Sequence, residues 1–164
     1  MAALVLLTGP WGAGKTTVAR HLARLVHDHV VFDWDLVIPG IAEATGKNVH
    51  TDPSTWQGLK TTWLAIIEAV LAGGHNVILC GPATPVDLEG RLGGVQVRCA
   101  YLDCPDDLLR QRLRARGEPE DAIADELVYA GRLRLSGYAA IRVNGRPPQE
   151  VAEIFIGWLR ADVQ

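Results

Sequence analysis

The chain has no surplus of basic charge: 16 lysines and arginines stand against 19 aspartates and glutamates, giving a formal net charge of −3. A protein held to a phosphate backbone by counterion release needs a basic field, so no stable nucleic-acid partner is expected. Long apolar runs are missing too. None reaches the roughly 18 to 20 residues that span a bilayer, and the stretch from Met1 to Leu7 has no basic segment of the kind that opens a secretory leader. The expectation is a cytoplasmic protein without membrane contact. Cysteine is scarce. Cys80, Cys99 and Cys104 show no metal-ligand spacing, and two of them lie in apolar runs, which suits reduced packing residues. His21, His27, His29, His50 and His75 form no H-E-x-x-H or similar pattern and read as surface or loop residues, so no zinc site is expected. Internal repeats, low-complexity tracts and linkers are also absent.

What is present is a globular composition, 48% apolar and 21% charged over 164 residues, enough to bury a single core without disulfide or metal staples. One domain over residues 1–164 is expected. Apolar runs alternate with longer stretches of helical period, which predicts βαβ units and an α/β fold with a parallel sheet covered on both faces. The spacing places strands at 3–8, 30–33, 77–81, 97–102 and 140–143, and helices at 15–26, 53–72, 106–116, 119–135 and 148–160. Asp52-Pro53 suits an N-cap followed by proline at the first helical position, and Gly73-Gly74 suits a stop.

Between the first strand and first helix runs Gly9-Pro10-Trp11-Gly12-Ala13-Gly14-Lys15-Thr16, which fits G-x-x-x-x-G-K-[ST] in the required context. The glycines allow a tight turn that aims backbone N–H groups inward, and the following helix adds its positive dipole end, a cradle for polyphosphate. Gly9, Trp11, Gly12, Ala13, Gly14, Lys15, Thr16 and Thr17 are therefore candidate nucleotide contacts. Lys15 would reach the β- and γ-phosphates, Thr16 would ligate Mg²⁺, and Thr17 would lie nearer the α-phosphate. The implied cofactors are ATP and Mg²⁺.

The second strand ends in Phe32-Asp33-Trp34-Asp35. In a parallel sheet, ligands collect beyond the carboxyl ends of strands, which puts both carboxylates near the phosphate loop. Phosphoryl transfer to an alcohol needs the hydroxyl positioned in line with the γ-phosphate and its proton accepted, and a carboxylate serves both needs. Alternate residues of an extended segment point the same way, so Asp33 and Asp35 are expected to act on one site, although Asp35 also suits an N-cap.

With these motifs the chain resembles the compact P-loop kinases: shikimate kinase, gluconate kinase and adenylate kinase, including the chloramphenicol phosphotransferase type. The resemblance covers nearly the whole chain. It implies a three-layer sandwich, a five-stranded parallel sheet of order 2-3-1-4-5, and a helical lid over about residues 112–135. It also implies that Asp33 is the metal-side carboxylate, acting through water, and Asp35 the substrate base. Arg112-Leu113-Arg114-Ala115-Arg116 looks like the segment that opens the lid in such kinases. By that likeness Arg112 lies against adenine and Arg116 closes on the phosphates; guanidinium suits both tasks, and a solvated helix face is the alternative. The acidic stretch from Glu118 to Glu126 would make the lid mobile. Arg146, in Asn144-Gly145-Arg146-Pro147, falls where these kinases wrap the adenine edge, or in a plain Gly/Pro turn.

The third strand lacks a terminal Asp for magnesium, closer in this respect to shikimate and gluconate kinases than to motor-type ATPases. Gly81 and Pro82 then begin a small-residue turn where backbone can approach a substrate. Only Lys47 and Lys60 lie between the second and third strands, which counts against an anionic acceptor. Trp34, Trp56 and Trp63, with His50 and Gln57, suit a flat or sugar-like acceptor, though such aromatics also serve as core. Acceptor candidates are Asp35, Trp34, Gly81, Pro82, Trp56 and Arg132. The leading reading is an ATP- and Mg²⁺-dependent small-molecule kinase acting on a sugar-, nucleoside- or antibiotic-like hydroxyl, as a monomer or homodimer. A nucleoside or nucleotide kinase, and a resistance protein that sequesters its ligand with little phosphotransfer, are the alternatives.

Overall fold

The computed structural model describes residues 2–47, 52–88 and 91–161; His50 lies outside them. Strand β1 (Ala3–Thr8) is apolar at every position but its last, and Leu4 through Leu7 are at most 1% exposed. A strand with neighbours on both edges and helices on both faces has no wet side, so an unbroken apolar run is what it requires. Alternation divides its side chains between two cores. Val5 and Leu7 pack with Val18 and Leu22 of α1 (Lys15–Leu25), Leu109 of α4 (Asp106–Ala115) and Phe155 of α6 (Pro148–Ala161). Leu4 and Leu6 pack with Trp63 and Ile67 of α3 (Pro53–Ala72) and with Trp34.

The other strands are β2 (His29–Asp33), β3 (Asn76–Cys80), β4 (Gln96–Asp103) and β5 (Ala139–Arg142). All pairs are parallel, in the order β2-β3-β1-β4-β5. Pairing of Leu7 with Cys80, and of Cys80 with Asp33, brings the ends of β1, β3 and β2 level. Whatever follows those strands therefore meets along one edge. Helices α2 (Ile38–Thr45) and α5 (Glu120–Arg134) complete the chain, with 3₁₀ turns at Trp34–Val37 and Pro85–Leu88. No described helix is long and apolar enough to cross a membrane.

Several strands begin one residue ahead of the apolar run. At β3 the reason is Asn76, whose Oδ1 accepts from the Ala3 N–H at 3.0 Å and so holds a polar residue in the sheet. His29 likewise opens β2 rather than a loop, with 9% of its side chain exposed and Nδ1 3.0 Å from Asp28. Helix α2 begins at Ile38, just beyond the Asp33–Asp35 segment whose carboxylates suit a helix cap. Pro39 sits in the first helical turn, where a missing N–H costs nothing, so the helix tolerates it. Helix α3 starts as expected: Asp52 accepts from the Ser54 N–H at 2.9 Å.

Gly81 has a reason other than substrate approach. A Cβ there would lie 2.6 Å from the Cβ of Trp34, a residue 3% exposed that stacks on Trp63 with ring centroids 6.0 Å apart. The clash is with the base of the buried tryptophan side chain rather than with a flexible tip. Gly81→Ala is expected to destabilise the fold by about 1–3 kcal/mol, the usual cost of overpacking, read as a lower urea midpoint with unchanged slope; an unchanged midpoint would show that Trp34 can retreat.

Candidate active site

After β1 the chain turns through Gly9 to Gly14 and enters α1. Gly12 and Gly14 take φ of 85° and 104°, in the left-handed region that favours glycine, and a Cβ on Gly12 would lie 3.1 Å from the side chains of Leu109 and Leu113. The loop is thus pressed against α4. Two cations grip its carbonyls. Lys15 Nζ donates to Gly9 O at 2.7 Å and Pro10 O at 3.0 Å, and Arg112 Nη1 donates to Gly12 O at 3.2 Å and Ala13 O at 3.3 Å. Arg112, expected against adenine, braces the loop. Burial lowers the Lys15 pKa, while the charges of Asp35, Glu126 and Asp33 pull it back up.

Asp33 ends β2, and the chain turns there into the 3₁₀ segment, so the alternation expected to align Asp33 with Asp35 stops. Capping falls to Asp33 rather than Asp35: its Oδ1 accepts from the Asp35 N–H at 3.2 Å. The same oxygen accepts from Thr16 Oγ1 at 3.4 Å. Thr16 and Asp33 thus form a hard-oxygen pair beside the phosphate loop, a donor set suited to Mg²⁺. Burial raises the Asp33 pKa above the usual carboxylate value, with hydrogen bonds from Asp35 N–H and Thr16 opposing it. Asp35 lies elsewhere, on an open cleft.

Two clefts flank the loop. One, of about 250 Å³, is lined by Gly9, Trp11, Lys15, Asp35, Trp56, Pro82, Glu126 and Tyr129. The other, of about 370 Å³, runs past Gly12, Ala13, Gly14 and Thr17 to Arg112, Arg116 and Arg146, with Val143 and Val151 as an apolar floor. Lys15 borders the first and the loop backbone borders both. Trp11, expected at the nucleotide, lines the first cleft. Trp34 is core, and of the tryptophans expected at the acceptor it is Trp56 that lines this cleft. Arg132, expected at the acceptor, is exposed and lines neither cleft.

Glu126 and Tyr129 were not among the expected site residues. Glu126 Oε2 accepts from the Trp11 N–H at 2.7 Å. Tyr129 donates to Pro82 O at 3.1 Å, which leaves Thr8 Oγ1, also 3.1 Å away, as the donor to it. Helix α5 is docked by these bonds and by fully buried Ile123. Arg134 pins the far end of α5 to Asp103 and Asp106 at 3.0 and 2.8 Å. Arg114 forks onto Glu120 at the α4–α5 corner at 2.6 and 3.0 Å. A signal for Glu126 existed in the sequence. It falls on the apolar stripe Ile123, Leu127 and Ala130, where an acid needs a partner. The thiols are packing groups: burial pushes Cys99 up to about 12, and Cys80 higher still.

A parallel sheet of this order, with G-x-x-x-x-G-K-T closing the end of its central strand, defines a P-loop NTPase fold. The AAA domain family matches residues 5–134, and the chain belongs to that family. In fold it is similar to the tunicamycin resistance protein of Deinococcus radiodurans, at 18% identity over 98% of this chain and 96% of that one, TM-score 0.71. It is also similar to a sugar kinase from Janibacter sp. HTCC2649, at 18% identity over 97% and 95%, TM-score 0.65. A third likeness is to the shikimate kinase of Acinetobacter baumannii in complex with shikimate, at 24% identity over 97% and 93%, TM-score 0.63. No curated protein matches in sequence.

The raised Asp33 pKa has a consequence for stability. In the unfolded chain the carboxyl ionises at its ordinary value, so above the folded-state pKa the ionised native form is penalised, and below the unfolded value it is not. Asp33→Asn keeps an oxygen for the Asp35 and Thr16 hydrogen bonds. The variant is expected to melt above the parent at neutral pH without nucleotide, an advantage that fades as pH falls through the raised pKa. Thermal melts across pH test this; a variant that melts lower at neutral pH would contradict it.

Proposed function

We propose that the chain is an ATP- and Mg²⁺-dependent phosphotransferase of the cytoplasm that moves the γ-phosphate to a hydroxyl of a small sugar-, nucleoside- or antibiotic-like molecule. One observation carries this reading: the phosphate loop borders both clefts, with Lys15 and Asp35 lining the smaller one and the arginines lining the larger. A nucleotide whose base end lies along Arg112, Arg116 and Arg146 would present its terminal phosphate to Lys15 and to the cleft that Asp35 lines. The arginines supply planar cations for base and phosphate oxygens, and the floor of Val143 and Val151 suits an adenine.

Thr16 and Asp33 are the residues that would hold Mg²⁺, Asp33 through water. When bound, the ion would neutralise charge on the β- and γ-oxygens. Among the described residues no group of three or more His, Cys, Asp and Glu is arranged to hold a metal, so most ligands would come from phosphate and water. Asp35 accepts the proton of the acceptor hydroxyl as its oxygen bonds to the γ-phosphorus. The bond from that phosphorus to the bridging oxygen breaks, and ADP leaves. Lys15 stays on the phosphate oxygens throughout. Glu126 and Tyr129, by tying α5 to the loop and to Pro82, wall off water that would otherwise compete as acceptor. The sugar kinase and shikimate kinase that share this fold agree with this chemistry without identifying the acceptor.

The test is ADP release with ATP and Mg²⁺ across sugars, nucleosides, shikimate-like acids and hydroxylated antibiotics. Acceptor-dependent release should fall by about 10²–10⁴-fold in Asp35→Asn, the usual worth of a positioned general base, with ATP binding retained. A ligand that binds beside ATP but never raises ADP release would replace this reading with sequestration.

A further inference from the structure

The charges around the phosphate loop are sorted. Arg112, Arg116 and Arg146 all line the larger cleft, and no arginine lines the smaller one. The smaller cleft holds two carboxylates, Asp35 and Glu126, and one cation, Lys15. Lys15 is already committed to Gly9 O and Pro10 O, and in the proposed reaction to phosphate. The next cation outward is Lys60, in an adjoining recess that shares Trp56 and Pro82 with this cleft. It closes on Asp87 at 3.0 Å, and Asp87 is in turn held by Thr84 N–H and Oγ1, both at 2.9 Å. Its charge is therefore spent within the protein.

Nucleotide binding sharpens the imbalance. A triphosphate takes up the charge of Lys15 and adds more negative charge beside Asp35 and Glu126. Carboxylates drawn partly out of water need a counter-charge, and like charges left together are costly. Glu126 cannot easily swing away, because the Trp11 N–H fixes one of its oxygens at 2.7 Å. Of the remaining lining residues, Trp11, Trp56 and Tyr129 are aromatic, beside Gly9 and Pro82. Aromatic faces carry negative quadrupole charge and favour cations. An anionic acceptor would meet repulsion from both acids and from the nucleotide's phosphates, and a neutral one would leave the acids without a counter-charge.

We propose that the acceptor is a small amino alcohol of amino-sugar or aminocyclitol type, its hydroxyl placed at Asp35 and its protonated amine held by Glu126 against the tryptophan faces. The cleft of about 250 Å³ fits a single ring of this kind and falls below the usual range for larger ligands. Glu126 is then a specificity-determining residue, and the amine stays protonated while the hydroxyl is phosphorylated. The inference rests on the kinase reading for where the acceptor lies, but a binding measurement tests it without turnover.

Tryptophan fluorescence, reporting from Trp11 and Trp56, would follow titration of two matched pairs into protein loaded with a non-hydrolysable ATP analogue and Mg²⁺: glucosamine against glucose, and 2-deoxystreptamine against myo-inositol. In each pair the amine should bind at least about tenfold more tightly, the worth of roughly one charge-assisted contact. Glu126→Gln, whose amide oxygen can still accept from the Trp11 N–H, should bring the ratio close to one in protein saturated with the ATP analogue. Equal affinity within the pairs, tighter binding of the neutral members, or no binding of either amine would overturn the inference, and so would a preference that survives in Glu126→Gln. ADP release with the same compounds separates the two readings. An amine preference without turnover would sink phosphotransfer alone, and turnover of neutral members without preference would sink the amine alone.

Discussion

The site depends on how the loop between β1 and α1 is held open. Its peptide planes are rigid, so a carbonyl drawn one way turns the next N–H the other way. Lys15 and Arg112 draw the carbonyls of Gly9, Pro10, Gly12 and Ala13 toward themselves. The N–H groups of Trp11 and Gly14 are turned away from those cations, and that of Trp11 meets the carboxylate of Glu126. The loop is thus held in shape by two cations on its carbonyls. One of its donors already holds an anion supplied by the chain. Packing leaves it little freedom: the Gly12 backbone lies so close to Leu109 and Leu113 that a side chain there would strain both helix α4 and the loop.

The same loop separates two electrostatic environments. On one side lie arginines from α4, its C-terminal end and the turn before α6; on the other lie carboxylates from the 3₁₀ turn after β2 and from α5. Sheet topology makes this possible. With β1 between β3 and β4, the elements after β2 and β3 collect on one flank of the loop, and those after β4 and β5 on the other. Helix α5 breaks the pattern by following β4 in sequence yet reaching the first flank. The Tyr129 hydroxyl, joined to Thr8 at the end of β1 and to Pro82 after β3, records that crossing.

This explains which parts were legible in the sequence. The phosphate loop was legible because its chemistry is contiguous: glycines, lysine and threonine need no distant partner to be recognised. The central strand was legible because double burial forces an apolar run. Trp34 and Trp56 show where the reading thins. Trp34 stands between the two aspartates and so looked like a pocket residue, but the turn into a 3₁₀ segment sends it into the core beneath Gly81. Trp56, far from any motif, reaches the cleft because α3 packs across that end of the sheet. Glu126 and Tyr129 depend on how α5 docks, a tertiary fact that helical period alone does not contain. His50 and its neighbours lie outside the described residues, so that part of the expected acceptor region stands only as read from sequence.

Burial works against both charges at the centre of the site, lowering the pKa of Lys15 and raising that of Asp33. Neither group is in the environment that its ionised form would choose. Asp33 also serves as a cap and Lys15 as a brace, so the fold makes use of groups that cost it stability to bury. A phosphate at Lys15 and a cation at Thr16 and Asp33 would each supply the counter-charge that the chain provides only partly. Binding and folding are then coupled through the same desolvated groups. A site of this kind is specific because its unliganded state is electrostatically incomplete, and a ligand of the wrong sign on either flank of the loop would deepen the deficit instead of filling it.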